Sequence, residues 1–308
     1  MRGCVWLTAV LALLGCGAAT GPAGGGGGPT LPLPAKPVIE AVTRGYQFLE
    51  GPAHDPRGFL LFCDTTGDAI HRRADADGAL SVYRRPAGQP NGLAIDRDGR
   101  VYTAERGARR VTRESADGTL TVLAERYQGK RLNGPNDLAV RSDGAVYFTD
   151  PPFGLPRMTE GKELDFNGVF RWSEAHGLEL LSREMTLPNG IAFSPDERRL
   201  YVNESRERRV YVFDVAASGA IANRRPFADL TGATPDWSAD GLEVDGEGNV
   251  YAAGPKGVWA FAPDGTAWGR LSFPEHVTNL AFGDRDRRSL YVTGLTTLYR
   301  VRLNVAGR

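Results

Sequence analysis

Six polar residues, each placed directly before a short apolar stretch, are the part of this sequence best suited to chemistry. They recur at one phase of an internal repeat, and we call them the ring residues: Glu50, Asn91, Asn136, Asn189, Asp240 and Thr278. Carboxylate and amide oxygens are hard ligands, and Ca²⁺ takes roughly six to eight such oxygens. Neither His nor Cys occupies this phase, which weakens a preference for Zn²⁺ without excluding Zn²⁺, Mn²⁺ or Mg²⁺. Glu50 and Asp240 would repel each other near a common axis unless a divalent cation cancelled their charge.

A second interpretation of the same positions is structural. Asn or Asp before Gly favours tight turns, and such pairs occur at Asn91-Gly92, Asn189-Gly190 and Asp240-Gly241. Turn chemistry explains any one of these pairs. It does not explain why this phase is polar in all six repeats, and the pattern therefore favours a metal site while leaving the turn interpretation open.

The ring residues belong to six copies of one hairpin unit. The copies begin at residues 51, 92, 137, 190, 241 and 279. Each contains a short apolar strand, a turn rich in Asp, Gly or Pro, and a second strand that usually carries a Tyr; Asp98-Gly99 and Asp143-Gly144 are two of the turns. A third and a fourth strand follow in most copies. Four strands in a unit of roughly 40–50 residues are typical of a propeller blade.

The sixth unit ends near Leu303 without a fourth strand, and residues 38–42 form a spare strand before the first unit. Pairing the two would close the ring and cover two strand edges. The sequence therefore predicts an all-β fold, a six-bladed β-propeller over residues 36–308 closed by an N-terminal strand. Because the first strand of each blade lines the central channel, the ring residues should meet at one mouth of that channel.

The N-terminus is typical of an export signal. One Arg precedes an apolar run from Val5 to Leu14, which has the length of a signal core. Leu13-Leu14-Gly15-Cys16 resembles a bacterial lipobox, so residues 1–16 are predicted to be a lipoprotein-type signal segment with lipidation at Cys16; a plain cleaved signal is the alternative. Residues 17–35 are rich in Gly and Pro and are predicted to be a flexible linker. We expect an exported lipoprotein facing the periplasm or the cell surface, or else a soluble periplasmic protein.

Composition limits the partners. Lys and Arg together number 37, as do Asp and Glu, so the formal net charge is zero. A nucleic acid or an anionic membrane surface would require a basic face, and we expect membrane contact only through the lipid at Cys16. The sequence contains no Gly-x-Ser-x-Gly, P-loop or dinucleotide motif, which leaves the enzyme classes that use them without support.

Several motifs together resemble one known family, the gluconolactonase / senescence-marker-protein / luciferin-regenerating-enzyme family of six-bladed propellers. The resemblance covers nearly all of residues 46–303. The motifs are Leu49-Glu-Gly-Pro52, Gln89-Pro-Asn-Gly-Leu93, Tyr127-Gln-Gly-Lys-Arg-Leu-Asn-Gly-Pro-Asn-Asp137, Tyr147-Phe-Thr-Asp-Pro-Pro-Phe-Gly154, Leu187-Pro-Asn-Gly190, Asp240-Gly-Leu242 and Thr278-Asn-Leu-Ala-Phe-Gly283.

The resemblance implies a divalent metal, usually Ca²⁺, on the channel axis. Its ligands would be Glu50, Asn136, Asn189 and Asp240, with the other two ring residues at the inner mouth. The implied reaction is lactone hydrolysis, in which the metal polarises the ester carbonyl. Asp240 would be the general base or would orient the attacking water, and Asp137 would fix one of the ligands.

The substrate is less closely defined. Animal members of the family carry a sugar-binding Arg at the position of Gly134, so the neighbouring Asn133 is expected to supply a polar contact instead. Asn91, Asn133 and Asn136 are therefore the predicted substrate-binding residues. Two further candidates are His276 and the loop 151–167, which could act as a lid. A phosphotriesterase-like hydrolase, or a non-catalytic binding propeller with a structural metal, remain as alternative functions.

Overall fold

Short runs of β-branched and aromatic residues, separated by Gly, Asp and Pro, form strands along the chain. The computed structural model describes residues 31–230 and 238–308. These residues form β-strands and two single-turn 3₁₀ helices, Pro152–Gly154 and Pro156–Met158. Within them, no helix is both long and apolar enough to cross a bilayer. The predicted signal segment 1–16, its Cys16 and residues 17–30 of the predicted linker lie outside the described residues.

Six antiparallel sheets of four strands form the blades. Strand β1 is Glu40–Arg44. Blade 1 is β2–β5: Leu49–Asp55, Phe59–Asp64, Ala69–Ala74 and Leu80–Arg84. Blade 2 is β6–β9: Pro90–Ile95, Val101–Glu105, Arg110–Glu114 and Leu120–Ala124. A small hairpin, β10–β11, follows: Arg126–Tyr127 and Lys130–Arg131. Blade 3 is β12–β15: Leu138–Val140, Val146–Asp150, Gly168–Ser173 and Gly177–Ser182.

Blades 4 to 6 repeat the pattern. Blade 4 is β16–β19: Pro188–Phe193, Arg199–Glu204, Arg209–Val215 and Ile221–Asp229. Blade 5 is β20–β23: Leu242–Val244, Val250–Gly254, Gly257–Phe261 and Ala267–Ser272. Blade 6 is β24–β26, namely Val277–Gly283, Ser289–Gly294 and Thr297–Arg302, together with β1.

The first strands of successive blades contact one another in a closed circle, since β2, β6, β12, β16, β20 and β24 are neighbours in that order and β24 touches β2. Strand β1 completes blade 6 by pairing antiparallel with β26, from Glu40 opposite Arg300 to Arg44 opposite Thr297. The predicted six-bladed propeller is therefore confirmed. The closing strand lies two residues later than predicted, because Val38 is 78% exposed and outside the ladder.

The hydrophobic core lies between the blades. Separate clusters of buried side chains fill the spaces between neighbouring sheets. The Tyr of the second strand is fully buried in five blades, namely Tyr102, Tyr147, Tyr201, Tyr251 and Tyr291. In three of these blades its hydroxyl donates to an Asp of the turn between the first two strands, as from Tyr102 to Asp96 at 2.9 Å. In these three blades the bond fixes the hairpin turn that follows the first strand.

Candidate active site

Irregularities in the first strands present the ring residues to the axis. The pairing register shifts next to the ring residue in blades 1, 2, 4 and 6. In blades 3 and 5 the first strand begins only at Leu138 and Leu242, after the ring residue. A bulge leaves one residue outside the ladder and re-aims its side chain. All six ring residues are buried.

Glycine follows the ring residue in four blades because the next blade approaches closely. A Cβ on Gly190 would lie 2.5 Å from the carbonyl oxygen of Asp240, and one on Gly92 would lie 2.7 Å from the Cα of Asp137. Neither of these glycines, nor Gly241, has a positive φ. The turn interpretation of the Asn-Gly and Asp-Gly pairs is therefore wrong, since these glycines serve the contact between blades.

A hydrogen bond joins every pair of neighbouring blades at the level of the ring. The six bonds run from Thr65 Oγ1 to Pro90 O (2.7 Å), Gly92 N to Asn136 O (2.7 Å), Thr149 Oγ1 to Asn189 O (2.7 Å), Gly190 N to Asp240 O (3.1 Å), Gly241 N to Thr278 O (2.7 Å) and Thr278 Oγ1 to Leu49 O (2.7 Å). We call these bonds the girdle. They occupy the backbone carbonyls of several ring residues, so the side chains remain to bind a ligand.

Three carboxyl groups share the axis. Glu50 is buried and accepts hydrogen bonds at one oxygen from Gly51 N (3.1 Å) and from Asn279 Nδ2 (3.3 Å). Burial, together with the charges of Asp240 and Asp137, raises the pKa of Glu50 well above its usual range. Burial also raises the pKa of Asp137 to about 7, although backbone N–H groups of blades 3 and 4 and the Asn279 side chain lower it. The mouth is thus a place where a positive charge would be stabilised.

Two amides complete the oxygen-rich set. The Oδ1 of Asn136 is buried and has no hydrogen-bond partner among the described residues. Asn189 donates from Nδ2 to Ser205 Oγ (3.0 Å), and that hydroxyl donates to Ala239 O (2.7 Å). This chain of bonds directs the Oδ1 of Asn189 away from Ser205. A cluster of three His, Cys, Asp or Glu side chains fit for a metal does not occur in residues 31–230 and 238–308; the candidate set combines two carboxylates with two amides.

The remaining predicted residues make contacts within the protein. Asn91 donates from Nδ2 to Asn136 O (3.0 Å), and Thr278 belongs to the girdle. Asn133 is buried and donates from Nδ2 to Asp150 O (3.0 Å) and Phe166 O (2.9 Å), which ties it to the loop 151–167. The Oδ1 of Asn133 has no partner within the described chain.

Three polar residues near the mouth were not selected from the sequence, namely Asn279, Asn203 and Arg106. Asn279 donates to Glu50, and its position is the one that holds Gly in four other blades. Asn203 donates from Nδ2 to Asp240 O (2.5 Å). Arg106 lies in the loop after β7, and its charge acts on Glu50 and Asp240. His276, which the sequence left as a candidate, places Nε2 3.7 Å from Asp240 Oδ2.

A family model described as the SMP-30/Gluconolactonase/LRE-like region matches residues 48–296. The match begins one residue before β2 and ends one residue before β26. The chain belongs to this family. It is 33% identical over 294 residues to a gluconolactonase of Zymomonas mobilis, covering 87% of this chain and 82% of that protein. The solved structure of a gluconolactonase from Xanthomonas campestris is 34% identical, with a TM-score of 0.79, covering 89% of this chain and 91% of that one.

A more distant relative has a different named activity. The diisopropyl-fluorophosphatase of Loligo vulgaris is 25% identical, covering 75% of this chain and 80% of that protein. The family resemblance inferred from the motifs is confirmed by these matches. As a member of the gluconolactonase family, the chain is a hydrolase of the lactone-hydrolysing kind.

The family motif Tyr147–Gly154 leads into the loop 151–167, which lies on the mouth side of the propeller because it joins the second and third strands of blade 3. Arg109 donates from Nη1 to Gly161 O (3.0 Å), and Lys162 donates from Nζ to Phe166 O (2.8 Å). Glu163 accepts from Arg131 N (2.8 Å). Arg109 thus ties the loop to blade 2 and Arg131 ties it to the β10–β11 hairpin, whereas the Lys162 bond lies within the loop.

The axial channel continues below the ring as a cavity of about 980 Å³. Residues from all six first strands line it, among them Gly51, Glu243 and Asn279, and Asp137 lines it directly before β12. Glu50, Asn136, Asn189 and Asp240 do not line this cavity. Asp137 and Asn279 thus mark the boundary between the cavity and the candidate site at the mouth.

Proposed function

We propose that this family member hydrolyses lactones or closely related esters with the help of a divalent cation held by Glu50, Asn136, Asn189 and Asp240. The observation that supports the cation most strongly is the buried Oδ1 of Asn136, which has no partner in the described protein and lies in a mouth shared by two buried carboxylates. A buried acceptor without a partner costs roughly 1–3 kcal/mol. A cation would satisfy that oxygen and offset the repulsion between Glu50 and Asp240.

The chemistry of the donors indicates which cation. All four side chains offer oxygen, and none offers sulfur or imidazole nitrogen. Such a set fits Ca²⁺ best, and Mg²⁺ or Mn²⁺ next. Glu50, Asn136, Asn189 and Asp240 would hold the ion through four oxygens, fewer than the roughly six to eight that Ca²⁺ usually takes.

The cation would supply Lewis acidity, which polarises a carbonyl and lowers the pKa of water. The protein residues supply the rest. Asp240 accepts a proton from the attacking water while the water oxygen forms a bond to the carbonyl carbon. The bond from that carbon to the ring oxygen then breaks, and the proton passes to the ring oxygen, which becomes the hydroxyl of the hydroxy acid. His276 lies within reach to orient the Asp240 carboxylate, and Asn203 holds the Asp240 backbone.

A substrate panel on the full chain tests this function. Metal would be stripped with a chelator, and Ca²⁺, Mg²⁺, Mn²⁺ and Zn²⁺ would be restored separately with D-glucono-1,5-lactone, δ-valerolactone and a phosphotriester as substrates. We expect negligible turnover in the stripped protein and the largest recovery with Ca²⁺ on a lactone. Full lactone turnover in the stripped protein would exclude the cation from the reaction.

Phosphotriester hydrolysis is the second candidate, favoured by the similarity to the diisopropyl-fluorophosphatase. The same panel separates the two, because a site shaped for a tetrahedral phosphorus centre would turn over the phosphotriester faster than either lactone.

We further infer that the propeller is exported and anchored through lipid at Cys16, because this residue ends a lipobox-like motif directly after the apolar run from Val5 to Leu14. Changing Cys16→Ser should release the protein from the membrane fraction. An unchanged distribution in fractionation would leave a simple secretory signal as the better explanation.

A further inference from the structure

Arg106 brings an unused set of hydrogen-bond donors to the candidate site. It follows the last residue of β7, in a loop on the mouth side of blade 2. Its Nε is buried and has no hydrogen-bond partner among the described residues. An arginine side chain has five N–H donors and no acceptor, so this buried Nε–H can be satisfied by an oxygen of a bound molecule.

Contacts on several sides fix this side chain. Its backbone N–H donates to Gln89 O (3.1 Å), and its guanidinium lies over the ring of Phe48, 5.7 Å from the centroid. A Cβ on Gly154 would lie 2.5 Å from Arg106 O and 2.9 Å from Arg106 Cγ. Gly154 therefore has to be a glycine for Arg106 to pack where it does. A side chain that is held in advance loses little entropy when it binds a ligand.

The surroundings place the guanidinium beside the reacting centre. Phe48 is two residues from Glu50, and the charges of Glu50 and Asp240 raise the pKa of Arg106 against the lowering effect of burial. The side chain is thus part of the same mouth as the proposed cation ligands. In the loop 151–167, the carbonyl oxygens of Gly161 and Phe166 accept side-chain hydrogen bonds from Arg109 and Lys162, respectively.

We propose that Arg106 binds the oxygen-bearing substituents of the lactone ring and makes the site select polyhydroxylated lactones over unsubstituted ones. This inference rests on the proposed function. With the lactone carbonyl at the axis, the substituents of the ring extend towards the wall of the mouth, where Arg106 donates to their oxygens. A site built to hydrogen-bond a substrate hydroxyl discriminates strongly against the analogue that lacks it.

Two lactones with the same six-membered ring test the proposal. D-Glucono-1,5-lactone carries hydroxyl groups and δ-valerolactone carries none. In Arg106→Met we expect kcat/KM to fall at least tenfold for gluconolactone, mainly through KM, and to stay within twofold for δ-valerolactone. Arg106→Lys should recover part of the loss, because an ammonium donates but lacks the planar fork. Arg126→Met, which removes an exposed arginine of the β10–β11 hairpin, is the matched control and should leave kcat/KM unchanged for both lactones.

A binding measurement separates this inference from the proposed function. Calorimetric binding of D-glucono-1,5-lactam, which keeps the hydroxyls and resists hydrolysis, should weaken at least tenfold in Arg106→Met. Equal losses of kcat/KM for both lactones in Arg106→Met, or unchanged lactam binding by this variant, would overturn the role of Arg106. If the wild-type chain hydrolyses neither lactone, the proposed function fails, and the lactam titration still decides whether Arg106 binds the hydroxylated ring.

Discussion

Asp240 carries two tasks in the proposed site, as a cation ligand and as the proton acceptor, whereas Asn189 carries only the first. Asp240→Asn keeps an oxygen ligand but removes most of the basicity. We expect turnover to fall at least 100-fold, about 2.7 kcal/mol of transition-state stabilisation, while Ca²⁺ affinity falls less. Asn189→Ala should lose Ca²⁺ affinity first, and its turnover should be partly restored at high Ca²⁺. Calorimetric Ca²⁺ titration beside steady-state kinetics checks both, and full turnover by Asp240→Asn would remove it from the catalytic role.

Asp150 gives a pH prediction that is separate from the cation. Its two oxygens accept from Asn133 N and Gly134 N, each at 2.8 Å, and burial raises its pKa to about 7. An unfolded aspartate titrates near pH ~4, so between about pH 4 and 7 only the folded chain holds this proton. The stabilising contribution of Asp150 is therefore complete below about pH 4 and is lost as the pH rises to about 7.

Replacing the carboxyl group removes this titration. We expect the difference in unfolding free energy between wild type and Asp150→Asn to change by up to about 4 kcal/mol between pH 4 and 8, measured by urea unfolding. Asp77→Asn is the control, since Asp77 is exposed and accepts only a local bond from Ala79 N. Parallel pH profiles for wild type and Asp150→Asn would contradict the assignment.

At the residue scale, the sequence predicted the ring because the repeat phase is visible in the chain. Asn279 was visible by the same logic, since it stands where four other blades have Gly. Arg106 was not visible. It lies in the loop after the second strand, where blades 1 and 4 carry Thr65 and Ser205 instead, so the repeat does not single out an arginine there. The packing of its side chain on Phe48 brings it to the mouth.

At the element scale, the closing strand β1 holds the ring together. It pairs with β26, and Arg300 donates to Glu40 at 2.7 Å. The strand was predicted over residues 38–42 and is observed over Glu40–Arg44, since apolar character alone does not fix which residues enter a ladder. Residues 31–33 also contact the last blade, as Asn304 Nδ2 donates to Leu31 O (2.9 Å) and Leu33 packs on the core between blades 5 and 6.

Two truncations test this closure. Removing residues 1–30 should leave the melting temperature unchanged, because the closing strand β1 and its contacts remain. Removing residues 1–45 exposes the edge of β26 and should lower the melting temperature by at least several degrees and promote aggregation. Equal melting temperatures, measured by calorimetry, would show that β1 does not stabilise the ring.

At the scale of the whole molecule, one arrangement serves both stability and chemistry. Each blade contributes one residue to the ring, and the hydrogen bonds of the girdle join neighbouring blades through backbone carbonyls at the same level. The four proposed ligands come from blades 1, 3, 4 and 5, so their convergence depends on closure of the circle. A bound cation would in turn stabilise the closed propeller, because a ligand that binds only the folded state raises its stability.

The most direct test of the proposed cation site compares, in the wild-type chain, the Ca²⁺ concentration at half-saturation of binding with the Ca²⁺ concentration at half-maximal turnover. Metal-stripped protein would be titrated with CaCl₂, and calorimetric binding and D-glucono-1,5-lactone turnover would be measured under the same conditions. We expect one Ca²⁺ per chain and a half-activation concentration equal to the dissociation constant of that ion. Turnover that is already complete in the stripped protein, or activation that does not follow occupancy of the single site, would contradict this expectation.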